Sequence, residues 1–440
     1  MPVTREGTAR HRVLGRHAFR GLRTTEHAFD VPLDHGDPDG EHIEVFAREY
    51  VSAAHPTESI DGLPWLVFLQ GGPGGRGVRV TSLSGWMKEA AKDFRILMLD
   101  QRGTGLSTPA DRLTLPRRGK PREQAEYLAH FRADSIVLDC ESIRRALGSG
   151  PWTVYGQSYG GFCTLTYLSI APQGIREALV TGGLAPLDGP AERIYRATYA
   201  RLAERNAEYF SWYPADRQRV AEIAEHLRRV GERLPDGSRL TPERFQLVGN
   251  LLGGNTRVDT LHYLLEDAFT QSMDGRRLAD AFLHQVHALV TRAPNPLYAV
   301  MHESIYAQGE PTDWAAWRVQ SEYPEFQPDR DEPLLLGEMV CPWLFEQDPA
   351  LVPLAETAAL LAEKSDWGAL YDASRLAENE VPVAAAVYRD DIYVDRSLSL
   401  ETARRIRGLR VWETADFHHD GIADDGEGIF ARLLGLVREG

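Results

Sequence analysis

Cysteine is scarce in this chain. Its 440 residues include three, Cys140, Cys163 and Cys341. They are widely spaced and odd in number, which gives neither a disulfide framework nor a zinc-ligand spacing and fits a reducing cytoplasm. Long apolar runs are missing too. No stretch approaches the ~18 to 20 apolar residues that span a bilayer, so no membrane association is expected. The basic segment Met1 to Arg16 leads into no apolar core of the kind a secretory signal carries. Positive charge is in deficit, with 49 Lys and Arg against 64 Asp and Glu and a net −15. A nucleic-acid partner is therefore disfavoured, because phosphate binding needs a basic face. There is no internal repeat and no low-complexity tract. What is present is globular in character, 43% hydrophobic and 26% charged. The length exceeds one ordinary core, so two domains, or one domain with a large insertion, are expected.

The order of patterns points to an α/β architecture. Strand-like alternation runs over His27 to Val31 and His42 to Tyr50, followed by a fully apolar run from Leu63 to Leu69 that ends in Gly71-Gly72-Pro73-Gly74-Gly75. A helix around Trp86 to Lys92 precedes a second buried strand, Phe94 to Leu99. Next come a helix over Ala133 to Leu147, a strand from Trp152 to Tyr155, a helix after Tyr159 and a strand from Ala178 to Thr181. Alternation of this kind implies a mostly parallel sheet flanked by helices. From Pro186 to Leu376 helical periodicity takes over and no apolar strand stands out. Strands return at Val381 to Tyr388 and Leu409 to Thr414, with helices at Leu400 to Ile406 and from Glu427. The expected division is a sheet domain over 1–185 and 377–440 with a mostly helical cap, 186–376, inserted into it.

Gly156-Gln157-Ser158-Tyr159-Gly160 is the strongest chemical signal. A serine at a sharp strand-to-helix turn needs small neighbours, and the turn exposes its hydroxyl above the sheet. Such a nucleophile needs a base and a group to orient that base. Asp390, Asp391 and Asp395 follow the first late strand, and His418 and His419 follow the last, which is the chain order Ser, Asp, His of this fold class. A lone Asp is more often a turn residue or cap, and at least one of the paired histidines must be plain surface. His284 and His287, at i and i+3, lack the carboxylates that would complete a metal site, so no metal is expected. The glycines from Gly71 to Gly75 end a buried strand near the expected site rim. Their amides, with that of Tyr159, suit an oxyanion hole.

Taken together, Gly71 to Gly75, Asp100-Gln101-Arg102-Gly103-Thr104-Gly105-Leu106-Ser107 and Gly156 to Gly161 resemble the proline iminopeptidases (prolyl aminopeptidases), serine peptidases of the α/β-hydrolase fold. Glu338 to Asp395 and the ending His419-Asp420-Gly421 are similar to the longer-chain members. Gln70 departs from the family, where many relatives carry His before the glycines. The resemblance implies Ser158 as nucleophile, Asp391 as acid and His419 as base, with Gly71, Gly72 and Tyr159 supplying oxyanion amides. Asp390 remains an alternative acid, because the family's Gly-Arg-x-Asp pattern meets Tyr388 here in place of its glycine.

The implied activity is cofactor-free release of N-terminal proline from peptides with a free amine; an esterase or amidase on small apolar acyl compounds is the alternative. Cap glutamates hold that amine in the family, and Glu303 matches one such motif, although periodicity turns it away from the apolar stripe of Leu297, Val300, Met301 and Ile305. Glu338 and Glu346 interrupt an apolar stretch, where a buried carboxylate needs a cation or an escape to solvent. Tyr306, Trp314 and Trp317 are either walls of a proline pocket or simple core.

Overall fold

The computed structural model describes residues 9–255, 257–273 and 275–439. The absence of a signal over Met1 to Arg16 therefore falls partly outside the described residues. Among the described residues, nine strands form one sheet. In chain order they are β1 (Arg10–Phe19), β2 (Leu22–Pro32), β3 (His42–Ser52), β4 (Trp65–Leu69), β5 (Arg95–Leu99), β6 (Trp152–Gln157) and β7 (Ile175–Thr181). A separate hairpin, β8 (Phe269–Ser272) with β9 (Gly275–Leu278), precedes the last two sheet strands, β10 (Val383–Tyr388) and β11 (Leu409–Thr414). Spatial order in the large sheet is β1-β2-β3-β5-β4-β6-β7-β10-β11. Pairing is parallel from β5 to β11 and antiparallel from β1 through β3 to β5.

Two apolar layers form because strand side chains alternate in direction. Val67 and Leu69 of β4 enter one core with Val154, Val180 and Ala385. Leu66 and Phe68 enter the other, with Tyr155, Leu179, Trp86 and Phe430. All five residues of β4 and all six of β10 are buried, which is why these strands read as unbroken apolar runs instead of alternating ones. The helix Tyr159–Ile170 is buried nearly all round because sheet lies on one side and cap on the other.

Between Thr181 and Val383 the chain leaves the sheet, and the described elements there are helices apart from β8 and β9. The chain then re-enters by pairing Val383 with Ala178. Two elements escape the sequence pattern. Strand β1 is polar and largely exposed at the sheet edge, where charge discourages further strand pairing. The hairpin β8–β9 is short and equally polar. Among the described residues, no helix is long and apolar enough to cross a membrane. All three cysteines are free and buried.

Candidate active site

Ser158 sits between β6 and the helix Tyr159–Ile170 with φ 55 and ψ −123, a positive φ that a non-glycine residue adopts only where surrounding contacts impose it. Its own amide is tied to Thr181 O on β7 at 3.0 Å. The flanking glycines are required by space. A Cβ on Gly156 would lie 2.3 Å from Gly160 O, and one on Gly160 would lie 1.8 Å from Leu69 O.

Two hydrogen bonds join this serine to the far end of the chain. Ser158 Oγ lies 2.9 Å from His419 Nε2, and His419 Nδ1 lies 2.8 Å from Asp391 Oδ2. The other Asp391 oxygen accepts the amides of Tyr393 at 2.8 Å and Val394 at 3.0 Å, which fixes the carboxylate. Tyr393 stands edge-on to the imidazole, 4.9 Å between ring centres. Burial on its own would lower the His419 pKa. The charge and hydrogen bond of Asp391, with the charges of Glu338 and Asp420, outweigh it and bring the value up to about 9.

The neighbouring candidates lie elsewhere. Asp390 is partly exposed and pairs with Arg389 and Arg201. His418 Nδ1 meets the Asp390 carbonyl at 3.0 Å. Asp395 caps the helix Arg396–Arg404 by accepting the amides of Ser397 and Leu398.

Gly71 packs against the serine so closely that a Cβ there would lie 3.1 Å from Ser158 Cβ. Tyr159 opens its helix, where the first amides have no intrahelical acceptor and the dipole favours negative charge. The segment after β5, Asp100 to Ser107, is scaffolding for this loop. Asp100 accepts the Gly77 amide at 3.0 Å, pairs with Arg79 and accepts the Leu106 amide at 2.8 Å. Gln101 donates to Gln70 O at 3.2 Å, steadying the turn just before Gly71. Arg102 is fully buried on Asp139 and several carbonyls. A cleft of about 360 Å³ opens over Ser158 and His419, and its wall includes Gly71, Gly72, Tyr298 and Glu338.

A family model described as the alpha/beta hydrolase fold matches residues 64–271. A proline iminopeptidase of Aeromonas sobria is 46% identical over 426 residues, covering 96% of this chain and 98% of that protein. The chain belongs to the proline iminopeptidase family. A second relative, a proline iminopeptidase of Aspergillus aculeatus, is 33% identical over 95% of this chain and 94% of its own length. A solved proline iminopeptidase of Mycobacterium smegmatis covers 94% of this chain and 98% of its own with 13% identity and a TM-score of 0.42.

The three glutamates expected to hold an amine in this family member part company. Glu338 lines the cleft. Burial raises its pKa, while the positive charge of His419 and a hydrogen bond from Tyr298 hold the rise in check. Glu303 does not reach the cleft. It is 6% exposed, and its two oxygens accept the amides of Ala315 at 3.1 Å and Ala316 at 2.9 Å, capping the helix Ala315–Gln320. Burial, against those hydrogen bonds, moves its pKa up to about 7. The expected outward face fails because the helix Pro296–Met301 ends early and Glu303–Ile305 forms a tighter turn covered on all sides. Glu346 is also no part of the cleft wall: it lies on the single turn Leu344–Gln347 and faces solvent, the escape that its apolar neighbours Leu344 and Phe345 do not need. Trp317 is 45% exposed on the surface. Tyr306 packs among Phe162, Tyr195 and His302.

The cleft also contains groups that the sequence pattern did not single out. Asn250, Arg257, Thr291, Arg292 and Asn295 face it from the cap. Thr291, Arg292 and Asn295 sit in a loop, Asn250 in the tight turn Leu247–Gly253 and Arg257 at the start of the helix Arg257–Glu266, positions that no periodicity marks as functional.

Proposed function

We propose that this chain is a serine-type prolyl aminopeptidase in which Ser158, His419 and Asp391 form the catalytic set and Glu338 receives the substrate's amine. The observation that carries this is the unbroken hydrogen-bonded series Asp391–His419–Ser158 opening onto a cleft that also holds a carboxylate. Ser158 Oγ attacks the carbonyl of the N-terminal proline while His419 Nε2 takes its proton and returns it to the leaving amine. Asp391 keeps the imidazole oriented and stabilises its cation. The tetrahedral oxyanion is received by the amides of Gly71 and Tyr159, with Gly72 beside them. Water then releases proline from the acyl-enzyme by the same steps. The serine supplies the nucleophile, so the reaction as written needs no cofactor. A protonated pyrrolidine nitrogen matches Glu338, because a carboxylate in a partly dry cleft favours a cationic partner.

The segment 186–376 acts as a cap that walls the cleft, while 1–185 and 377–440 form the catalytic domain. Free thiols support a reducing, cytoplasmic location. The test compares hydrolysis of a proline arylamide with that of its N-acetyl derivative. The free amine should be strongly preferred. Comparable rates on both would move the reading to an esterase or amidase that ignores the amine.

A further inference from the structure

Of the cationic groups that face the cleft, Arg292 stands out. Arg257, its neighbour in the wall, is neutralised by an ion pair with Asp420. Among the described residues, no carboxylate lies within ion-pairing distance of the Arg292 guanidinium, and its Nε is buried without a hydrogen-bond partner. The guanidinium instead lies over the Tyr298 ring, 5.1 Å from its centre. The backbone beneath it is anchored, since the Arg292 amide donates to the fully buried Asp348 at 2.6 Å. The next turn is anchored as well: Asn295 caps the helix Pro296–Met301 and reaches the Pro73 carbonyl of the glycine loop at 3.4 Å.

Tyr298 therefore stands beside both charges of the cleft. It lines the cleft with Glu338, whose charge adds to burial in raising the hydroxyl pKa, and its ring face carries Arg292. The two opposite charges share one side chain without forming an ion pair with each other. A ligand that carries both an ammonium and a carboxylate can satisfy both.

A Pro-X dipeptide is the shortest peptide that carries both groups, its extended backbone spanning roughly 7 Å. We infer that Arg292 receives the free C-terminal carboxylate of a short proline peptide, so that the preferred substrates are zwitterionic Pro-X dipeptides. This rests on the aminopeptidase reading above and adds the leaving-group side to it. A guanidinium suits the role because its fork of donors fits a carboxylate with two hydrogen bonds. Its anchored backbone lowers the ordering cost of binding.

The experiment uses the purified full chain, its Arg292→Gln and Arg292→Lys variants, and three substrates: Pro-Ala, Pro-Ala amide and a proline arylamide. The quantity read is the ratio of kcat/KM for Pro-Ala to that for Pro-Ala amide. Arg292→Gln should lower this ratio at least tenfold, ~1.4 kcal/mol, and Arg292→Lys should retain part of it. If Arg292→Gln lowers both substrates equally, or leaves the ratio where it was, the carboxylate role is wrong and Arg292 serves only the local charge of Glu338. A wild-type chain that releases proline from none of the three overturns the aminopeptidase reading itself. The three substrates together thus separate that failure from failure of the Arg292 role.

Discussion

Replacing Glu338 by Gln tests the amine contact with almost no change of shape. The side chain stands in the cleft beside His419 and Tyr298, so the substitution removes one negative charge and keeps the hydrogen-bonding outline. Truncating one partner of a buried, hydrogen-bonded charge pair costs about 2 to 5 kcal/mol. The cleft is open to water, so the lower part of that range applies, about 2 to 3 kcal/mol, or roughly 30- to 150-fold in kcat/KM. An amine-free ester of similar size never makes the contact and should lose far less.

A second readout comes from the same charge. Glu338 is one of the groups that raise the His419 pKa to about 9. In the proposed mechanism His419 must be neutral to accept the serine proton, so kcat/KM should rise with pH through that value. Without the Glu338 charge the imidazolium is less stabilised, its pKa falls, and the rising limb moves to lower pH. Steady-state rates from pH 5 to 10 on a proline arylamide and on the ester measure both effects. Equal losses on the two substrates, with an unmoved limb, would refute the argument.

Other outcomes follow from the same geometry. Ser158→Ala should leave a folded protein with turnover down by ~10³-fold or more, checked by burst-free steady-state assay of purified protein. Asp391→Asn should be comparably damaging, while Asp390→Asn and His418→Gln remain near wild type; a severe His418 variant would mean that the neighbouring imidazole is the base. Glu346→Gln should change neither activity nor melting temperature, since the side chain faces solvent. For Glu303, the folded-state pKa of about 7 lies above the ordinary carboxyl value. The folded chain therefore holds a proton that the unfolded chain has lost, and stability falls as pH rises from about 4.5 to 7. Calorimetry at the two ends of that window should show Glu303→Gln flattening the fall in Tm, and an unchanged slope would exclude Glu303 as its source.

Legibility in the sequence tracked the range of the interactions involved. The sharp turn at Ser158 is written in five adjacent residues because its constraints are local: close backbone approach at Gly156 and Gly160. Strands such as β4 and β10 are legible because burial on both faces leaves no polar positions. The order of Asp391 and His419 could be read from strand ends, but the separation of Asp391 from Asp390 depends on which side chain turns inward, and no pattern records that. Glu303 was hidden for a similar reason. Its partners are the amides of Ala315 and Ala316, and an acceptor for a helix start looks like any other Glu in a helical stretch. The apolar stretch around Glu338 and Glu346 looked uniform, yet Pro342 and a one-turn helix break it, leaving one carboxylate in the cleft and the other in water. Arg292 belongs to a loop, where side-chain direction is set by tertiary contacts alone.

The hydrogen bond between Ser158 and His419 joins residues 261 positions apart in the chain. A ribosome adding ~5 to 20 residues each second needs roughly 13 to 52 s to cover that interval. Throughout it Ser158 is already synthesised and His419, its hydrogen-bond partner, is not. On the proposed mechanism a growing chain therefore carries an inert hydroxyl until β11 and the loop beyond it have been made. A chain that terminates before His419 would, on that mechanism, lack the proton acceptor for Ser158 and be silent.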